Sequence, residues 1–411
     1  MNKRFRNRSG IFSYLKHSHV RPGRALITLV FTLAIMSWLA IAAFRVRAEQ
    51  PASSSPVSSP GAQFTTGITH TVFLPITLQP HNPLLFVSDR AETGKYDIYG
   101  MSLEGNNVQR LTNWAIDSHA GFAHQFLPRW SPDGTMVAVQ VEGVLYLMDP
   151  DESNIFPLVD DPMLKITGVP KWSPDGKKIA YSVKQCLIPR PDCSETTDTG
   201  SGLQVIDVQT QDVVVLIDDL FLNASIGVHW TPDGLSLLAV KEDYGNYSGV
   251  VVSRLDDLTQ TWILTDYFIQ SIAVAPDGQQ LAFTWYAAYT ADIDGSNIQL
   301  IHNGSPNGAH SVVWHPDSQH LAYEVLADIW NSTIFVSDSN GSLTYELTPY
   351  DRASAKGVWG WVPDGTQFLY MSDVNRGLRK YDIYVVNADG SNPVNLTAGS
   401  PGDDVASDYH P

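Results

Sequence analysis

The chain has 411 residues with a hydrophobic fraction of 43% and an aromatic fraction of 10%, which is enough apolar material for a packed core and excludes a disordered chain. Its formal net charge is −17. Residues 1–50 contain nine Lys and Arg and one acid, so the remaining 17 basic and 42 acidic residues give the rest of the chain a net charge of −25. Such an acidic body repels nucleic acid and anionic lipid, and no nucleic-acid partner is expected.

The N-terminus is predicted to contain a membrane segment. Residues 1–24 are basic, and residues 25–44 are 20 uncharged residues, long enough to cross a bilayer as a helix. The positive charge before this segment predicts a cytoplasmic N-terminus and an exported remainder, anchored in the cell membrane by a single pass. The alternative is a signal peptide cleaved near Ala48, which would give a secreted or periplasmic protein. Residues 45–82, rich in Pro and Ser, are predicted to be a linker.

After the linker, a motif of the form Trp-x-Pro-Asp-Gly occurs six times with small variations. Successive copies begin 42, 58, 44, 40 and 47 residues apart. A period of this length with several short strands per unit is typical of propeller blades. In the fourth copy Val274 stands in place of Trp. The structural positions of the repeat are Trp130, Asp133, Trp172, Asp175, Trp230, Asp233, Asp277, Trp314, Asp317, Trp361 and Asp364.

The residues of the motif are those of a tight turn. Pro fixes φ near about −65°, Asp can accept hydrogen bonds from nearby backbone N–H groups, and Gly adopts a positive φ. Each turn is followed by an apolar run, such as residues 136–139, which predicts a buried strand. The motif Trp is expected to pack between neighbouring sheets. No long segment with helical periodicity follows residue 60, so an all-β fold is predicted.

The two ends of the repeat array are predicted to complete one another. Residues 85–112 contain the last three strands of a repeat with no motif before them, and residues 407–411 resemble the innermost strand and stop just before a Trp would be due. Combined in one blade, they would close the ring and remove its free sheet edges. The prediction is a seven-bladed β-propeller over residues 83–411, with six blades as the alternative if the terminal pieces do not pair.

The two cysteines of the chain, Cys186 and Cys193, lie in an insertion at residues 184–201. In an exported loop they are predicted to form a local disulfide. A metal site of two cysteines is the alternative, although no pair of histidines lies nearby to complete it.

The sequence contains no nucleophile elbow, P-loop, dinucleotide fingerprint or zinc-protease helix, so no catalytic residue, metal or other cofactor is predicted. Four histidines stand shortly before a motif Trp or before the place where the missing one would fall, and they are expected to line the axial channel. If they converge, they could hold a divalent metal or act as acid and base. Otherwise each is separately hydrogen-bonded or exposed. These candidate ligand-binding residues are His124, His229, His310 and His410.

The order of motif, apolar strand, Tyr-Asp-Ile-Tyr strand, Asp-Gly-Ser-Asn turn and Leu-Thr, as found at residues 361–397, resembles the TolB-like propeller family. The resemblance covers residues 83–411 and implies an extracytoplasmic scaffold whose partners dock at the channel mouth. Residues 49–82 are too few for the α/β domain that precedes the propeller in the protein after which the family is named.

The expected function is therefore that of a membrane-anchored or secreted propeller that binds an extracytoplasmic protein, peptide or glycan without catalysis. The alternative is a metal-dependent polysaccharide lyase or hydrolase with axial histidines as ligands, which the resemblance implies because some related seven-bladed propellers are such enzymes. The sequence does not identify the partner.

Overall fold

The computed structural model describes most of the chain after the linker. The N-terminal segments 1–24 and 25–44, the linker up to residue 81, and His124 lie outside the described residues. No helix in the described part of the chain is long and apolar enough to cross a membrane. The described residues are 82–117, 127–150, 154–190, 192–193, 198–218, 227–243, 247–305, 307–328, 331–348, 356–374 and 380–410.

Seven antiparallel sheets follow one another along these residues and form the blades of a β-propeller, which confirms the predicted all-β, seven-bladed architecture. The first strands are β1 (Leu84–Glu92), β2 (Lys95–Met101), β3 (Gln109–Arg110) and β4 (Ile116–Asp117). Blade 1 contains β5 (Arg129–Trp130), β6 (Val137–Val141), β7 (Val144–Met148) and β8 (Ile155–Val159). Blade 2 contains β9 (Leu164–Trp172), β10 (Lys178–Cys186), β11 (Asp198–Asp207) and β12 (Val213–Asp218). Blade 3 contains β13 (Val228–Trp230), β14 (Ser236–Asp243), β15 (Tyr247–Arg254) and β16 (Gln260–Tyr267).

The remaining blades repeat this arrangement, and the last strand of the chain returns to the first sheet. Blade 4 contains β17 (Ser271–Val274), β18 (Gln280–Trp285), β19 (Ala287–Asp292) and β20 (Gln299–His302). Blade 5 contains β21 (Ala309–Trp314), β22 (His320–Leu326), β23 (Ser332–Asp338) and β24 (Thr344–Glu346). Blade 6 contains β25 (Lys356–Trp361), β26 (Gln367–Ser372), β27 (Asp382–Asn387) and β28 (Val394–Asn395). The composite blade has the order β29-β1-β2-β3, where β29 is Asp404–Tyr409 and β4 also pairs with β2.

The first strand of each blade is the innermost one. The first strands of successive blades contact one another, as β5 does with β9 and β17 with β21. The second strands are covered on both faces, and β6 is buried at every position. The apolar cores lie between sheets, because residues of adjacent blades share one buried cluster, as Ala282 of blade 4 and Tyr323 of blade 5 do. Burial of apolar surface between blades is therefore the main stabilising contribution of the fold.

The ring is closed by β29, which pairs with β1 from Leu84↔Tyr409 to Ser88↔Asp404. Asp404 is fully buried, where its Oδ1 accepts hydrogen bonds from Ser88 Oγ at 2.5 Å and from Arg90 Nη2 at 2.8 Å. Both pieces of the composite blade are therefore joined by backbone pairing and by a buried, hydrogen-bonded carboxylate.

Tyr409 takes the place of the missing motif Trp. It pairs with Leu84 in β1 as Trp230 pairs with Leu237 in blade 3. The sequence pattern predicts that the given chain stops before this position. The structure instead places Tyr409 in the register of the tryptophan.

The predicted turn chemistry is present in all six motif copies. The Asp carboxylate accepts a hydrogen bond from the backbone N–H two residues ahead, as Asp133 does from Thr135 at 3.1 Å and Asp317 does from Gln319 at 2.8 Å. The fifth copy has Ser318 where the others have Gly, and this serine still adopts a positive φ of 59°. Each turn directly follows the innermost strand of its blade. The turns therefore all lie at the same end of the propeller.

The motif tryptophans also connect blades through hydrogen bonds. In four copies the indole Nε1–H donates to a backbone carbonyl of the preceding blade, for example from Trp172 to Arg129 O at 3.1 Å and from Trp314 to Ala273 O at 3.1 Å. In the sixth copy, Trp361 Nε1 is buried and has no hydrogen-bond partner among the described residues. The motif Trp thus has a polar role in addition to the packing expected from the sequence.

Candidate functional site

The residue directly before the motif Trp has the same register in every innermost strand. In blade 1, Arg129 pairs with Ala138, and in blade 2, Lys171 pairs with Ala180. We call these seven positions the pre-tryptophan ring. In order around the propeller, the ring consists of Asp408, Arg129, Lys171, His229, Ala273, Val313 and Gly360.

Four consecutive blades place ionisable side chains in this ring. Arg129 Nη1 lies 3.6 Å from Asp408 Oδ1 and donates a hydrogen bond to the backbone carbonyl of Ser407. The other Asp408 oxygen, Oδ2, accepts a hydrogen bond from the backbone N–H of Trp130 at 2.7 Å. The side chains of Arg129 and Asp408 are only 19% and 27% exposed, so their charges are partly removed from water.

Electrostatic coupling in the ring extends across the four blades that carry Asp408, Arg129, Lys171 and His229. Burial lowers the pKa of Lys171 to about 8, with a further decrease from Arg129 and an opposing effect of Asp408. Burial also lowers the pKa of His229 to about 3, and the positive charges of Lys171 and Arg129 act in the same direction. A hydrogen bond to the backbone of Ile272 opposes this decrease. Burial raises the pKa of Asp408 against the effect of Arg129. At neutral pH the ring therefore contains two cations and a neutral imidazole.

This arrangement is suited to binding an anion. The two cations share one partly buried acid, and Arg129 Nε is buried without a hydrogen-bond partner in the described part of the protein. A guanidinium and an ammonium group in a region of reduced dielectric favour a carboxylate or phosphate group. The ring is thus locally cationic in a chain whose formal net charge is −17.

Of the four histidines predicted to line the channel, the three that the structure describes lie at different heights along the channel axis. His229 belongs to the pre-tryptophan ring, whereas His310 lies four positions before Trp314 on β21. His310 is separated from the ring level by about 10 Å of strand, and burial lowers its pKa. His410 follows β29 at the turn end, where its Nε2 lies 3.0 Å from the Pro132 carbonyl oxygen.

A different set of residues combines metal-ligating groups. In the described part of the chain, the side chains that lie close enough together to hold an ion are those of His315, Asp317 and His320, on the motif turn of blade 5. His229, His310 and His410 are not part of this set.

The insertion of blade 2 contains the disulfide Cys186–Cys193, with an S–S distance of 2.07 Å. Cys186 is the last residue of β10. Arg190, between the two cysteines, donates from Nε to Leu164 O at 2.7 Å and from Nη2 to Asp160 Oδ1 at 2.7 Å. The insertion is thereby fixed to the start of β9, at the opposite end of this strand from Lys171 of the pre-tryptophan ring.

A cavity of about 520 Å³ lies between the motif turns of blades 2 and 3. Its carboxylates include Asp175 and Asp233, which already accept hydrogen bonds within their turns. The cavity therefore offers few free polar groups, and the pre-tryptophan ring is the stronger candidate site.

No protein-family model matches the chain. A curated protein of Sulfurisphaera tokodaii, named as a Tricorn-like protease C-terminal subunit, is 20% identical over 314 residues, covering 70% of this chain and 31% of that protein. The chain thus spans about a third of the length of this relative.

Several solved structures have a similar fold. A puromycin hydrolase variant aligns with a TM-score of 0.56 at 13% identity, over 76% of this chain and 51% of the other. An oligogalacturonate lyase of Vibrio parahaemolyticus aligns with a TM-score of 0.51 at 14% identity, over 76% and 84%. TolB from Acinetobacter baumannii is 17% identical over 77% and 76%, with a TM-score of 0.45. The fold is that of a β-propeller, and TolB is among the solved structures that it resembles. The resemblance predicted from the repeat is confirmed at this level.

Three members of the charged ring in this TolB-like propeller were not predicted from the sequence: Arg129, Lys171 and Asp408. A signal for two of them exists, since each stands directly before a motif Trp as His229 does. In an alignment of the motif copies, Arg129, Lys171 and His229 occupy the same position. Asp408 lacks this signal, because no motif follows it.

Replacing His229 with Gln is expected to make the TolB-like propeller less sensitive to acid. The pKa of His229 is about 3 in the folded protein, against 6.5 for an unperturbed histidine, so between these values the unfolded chain takes up a proton that the folded protein does not. The stability contributed by neutral His229 is therefore complete above about pH 6.5 and is lost as the pH falls towards 3.

The measurement is urea unfolding at about pH 7.5 and about pH 4.5. Between these conditions we expect the wild-type protein to lose about 1–2 kcal/mol more free energy of unfolding than His229→Gln. Equal losses in the two proteins would contradict the neutral state of the partly buried His229.

Proposed function

We propose that the protein is a non-catalytic binding module whose pre-tryptophan ring binds an anionic group, a carboxylate in the first instance, carried by a peptide or a glycan. The observation that supports this most strongly is that Arg129 and Lys171 are neighbours in the ring. The one acid beside them, Asp408, is partly buried. Ion pairs in a partly desolvated channel are stronger than those at an exposed surface. The small residues Ala273 and Gly360 on the opposite side of the ring leave room for a ligand.

The proposal includes the location of the protein outside the cytoplasm. The uncharged segment 25–44, preceded by basic residues, supports a single-pass anchor, with release after signal cleavage as the alternative. The disulfide of blade 2 supports an oxidising compartment. The partner would thus be a protein, peptide or glycan on the extracytoplasmic side of the cell membrane.

The different heights of His229, His310 and His410 favour this binding function over a lyase or hydrolase with axial histidines as metal ligands. A catalytic metal needs three ligands within one coordination sphere. The similarity to oligogalacturonate lyase concerns the fold and supplies a useful probe, because an oligogalacturonate is a carboxylated glycan.

Replacing Lys171 with Gln is expected to weaken binding of a carboxylated ligand by about tenfold or more, because a charge-assisted hydrogen bond contributes about 1.5–3 kcal/mol. Two probes distinguish the sources of the carboxylate: an oligogalacturonate and an oligoglutamate peptide, each titrated by calorimetry against the full chain. Binding should also weaken above about pH 8, where Lys171 loses its proton.

The matched control is Lys177→Gln, since this side chain is 73% exposed and lies on a motif turn. A neutral oligosaccharide and an oligoglutamine peptide control for uncharged contacts. The proposal is wrong if neither charged probe binds, or if Lys171→Gln and Lys177→Gln weaken binding equally.

A further inference from the structure

The motif turn of blade 5 differs from the other copies at three positions, His315, Ser318 and His320. It reads Trp-His-Pro-Asp-Ser-Gln-His over residues 314–320, and its potential ligand atoms on His315, Asp317 and His320 all lie within 4.8 Å of one another. His315 Nδ1 is 3.0 Å from Asp317 Oδ1, and His320 Nδ1 is 2.7 Å from Asp317 Oδ2. All three ligand atoms therefore face one small volume.

These distances fit a transition-metal ion with little movement. A tetrahedral ion bound at about 2.0–2.2 Å from imidazole nitrogen and carboxylate oxygen separates its ligands by about 3.4 Å. The side chains of His315, Asp317 and His320 are 18%, 33% and 36% exposed, so an ion can enter from solvent.

Hydrogen bonds outside the cluster orient the ligands. His315 Nε2 lies 3.0 Å from Gly365 O on the next blade, which favours a proton on Nε2 and leaves a lone pair on Nδ1. The Asp317 carboxylate is held by the backbone N–H groups of Gln319 and His320, at 2.8 and 3.0 Å. Metal-binding histidines commonly donate their second ring N–H to a carbonyl in this way.

The other copies show which of these residues the turn itself requires. At the position of His315, three of the other five copies have Ser131, Ser173 and Thr231, whose hydroxyls donate to the motif Asp at 2.6, 2.7 and 2.6 Å, and the remaining two have Ala275 and Val362. With its proton on Nε2, the His315 imidazole cannot donate in this way, and its Nδ1 instead accepts a hydrogen bond from the Asp317 backbone N–H at 3.2 Å, which also supports the turn. His315 therefore has a structural role in the turn without an ion.

The same explanation does not extend to His320. Three residues after the motif Asp, the other copies have residues of no common type, which shows that the turn does not need a particular side chain there. These residues are Met136, Lys178, Ser236, Gln280 and Gln367. Two histidines flanking one carboxylate within a single turn are the donor set of a metal site.

We propose that His315, Asp317 and His320 bind one divalent transition-metal ion, Zn²⁺ in the first instance, at the turn of blade 5. Two imidazoles and one carboxylate suit Zn²⁺ better than Mg²⁺ or Ca²⁺. Three protein ligands leave at least one position for water or for a donor group of a bound partner. Through Gly365, the ion would also tie blade 5 to blade 6. The site is independent of the pre-tryptophan ring.

The test is equilibrium dialysis of the full chain against Zn²⁺, with the bound metal measured by mass spectrometry and the dissociation constant by calorimetry. We expect one tightly bound Zn²⁺ per chain and a loss of affinity of about tenfold or more in His320→Gln and His315→Ser. Both changes introduce residues that other copies carry naturally, so the turn should fold. His410→Gln, a histidine at another turn, is the matched control and should retain the ion.

A second readout is the melting temperature, which saturating Zn²⁺ should raise in the wild type and in His410→Gln but not in the two site variants. The proposal is overturned if the wild type binds no more Zn²⁺ than His320→Gln, or if Zn²⁺ shifts the melting temperatures of all four proteins equally. Failure of anion binding at the pre-tryptophan ring would leave these results unchanged.

Discussion

Deleting Val405 to Pro411 is expected to destabilise the whole propeller by about 5 kcal/mol or more, because the deletion removes buried apolar surface and buried hydrogen bonds together. Val405 and Ala406 are each 1% exposed, and Ser407 is fully buried. The deletion also exposes the edge of β1 along Leu84 to Ser88, where β29 pairs. A propeller without this strand is an open ring with an unpaired edge.

Thermal unfolding followed by circular dichroism measures the effect, and we expect a much lower and broader transition. A synthetic peptide of residues 404–411 supplies the control, because it can pair with the exposed β1 and should restore part of the lost stability. An unchanged melting temperature in the truncated protein would show that the terminal pieces do not close the ring.

The second large effect is expected at Trp314. Replacing it with Ala should lower the free energy of unfolding by about 3–5 kcal/mol, since a large buried ring is lost from the contact between blades 4 and 5. The indole is 7% exposed and donates its Nε1–H to Ala273 O at 3.1 Å.

A pair of Phe variants separates the hydrogen bond from the packing. Trp361 occupies the same register in blade 6, but its Nε1 has no partner among the described residues. Trp314→Phe should therefore cost about 1 kcal/mol more than Trp361→Phe in chemical unfolding, because only the former loses a hydrogen bond and leaves a carbonyl unpaired. Equal costs would mean that the indole contributes through its size alone.

The number of blades and the closure of the ring could be predicted because both depend on local signals. Pro, Asp and the following Gly or Ser form a turn in each motif copy, and the six turns mark six of the seven blades. The matching strand patterns of residues 95–99 and 380–384 showed that the first strands continue the last repeat. The hydrogen bonds of the tryptophans could not be predicted, since each acceptor lies on another blade about 40–60 residues earlier.

The pre-tryptophan ring depends on the register of seven strands, which the sequence does not state directly. Arg129 and Asp408 are 279 residues apart, and only the pairing of β29 with β1 brings them together. The four candidate histidines were predicted from their chemistry. Of those that the structure describes, only His229 stands directly before a motif Trp, the position that belongs to the ring. His315 and His320 lie within a motif copy. Their residue types differ from those of the other copies, but the shared Pro and Asp account for the turn without them.

The distribution of residues around the ring has a consequence for how a guest molecule would sit. Four neighbouring positions of the ring are ionisable, and the other three are Ala273, Val313 and Gly360. One side of the channel therefore carries charged groups, and the other side carries uncharged residues. An anionic ligand would bind against the charged side of the channel and not on its central axis. The position of the charged group within the ligand would then determine the orientation in which the ligand enters, which a channel with evenly distributed charge could not do.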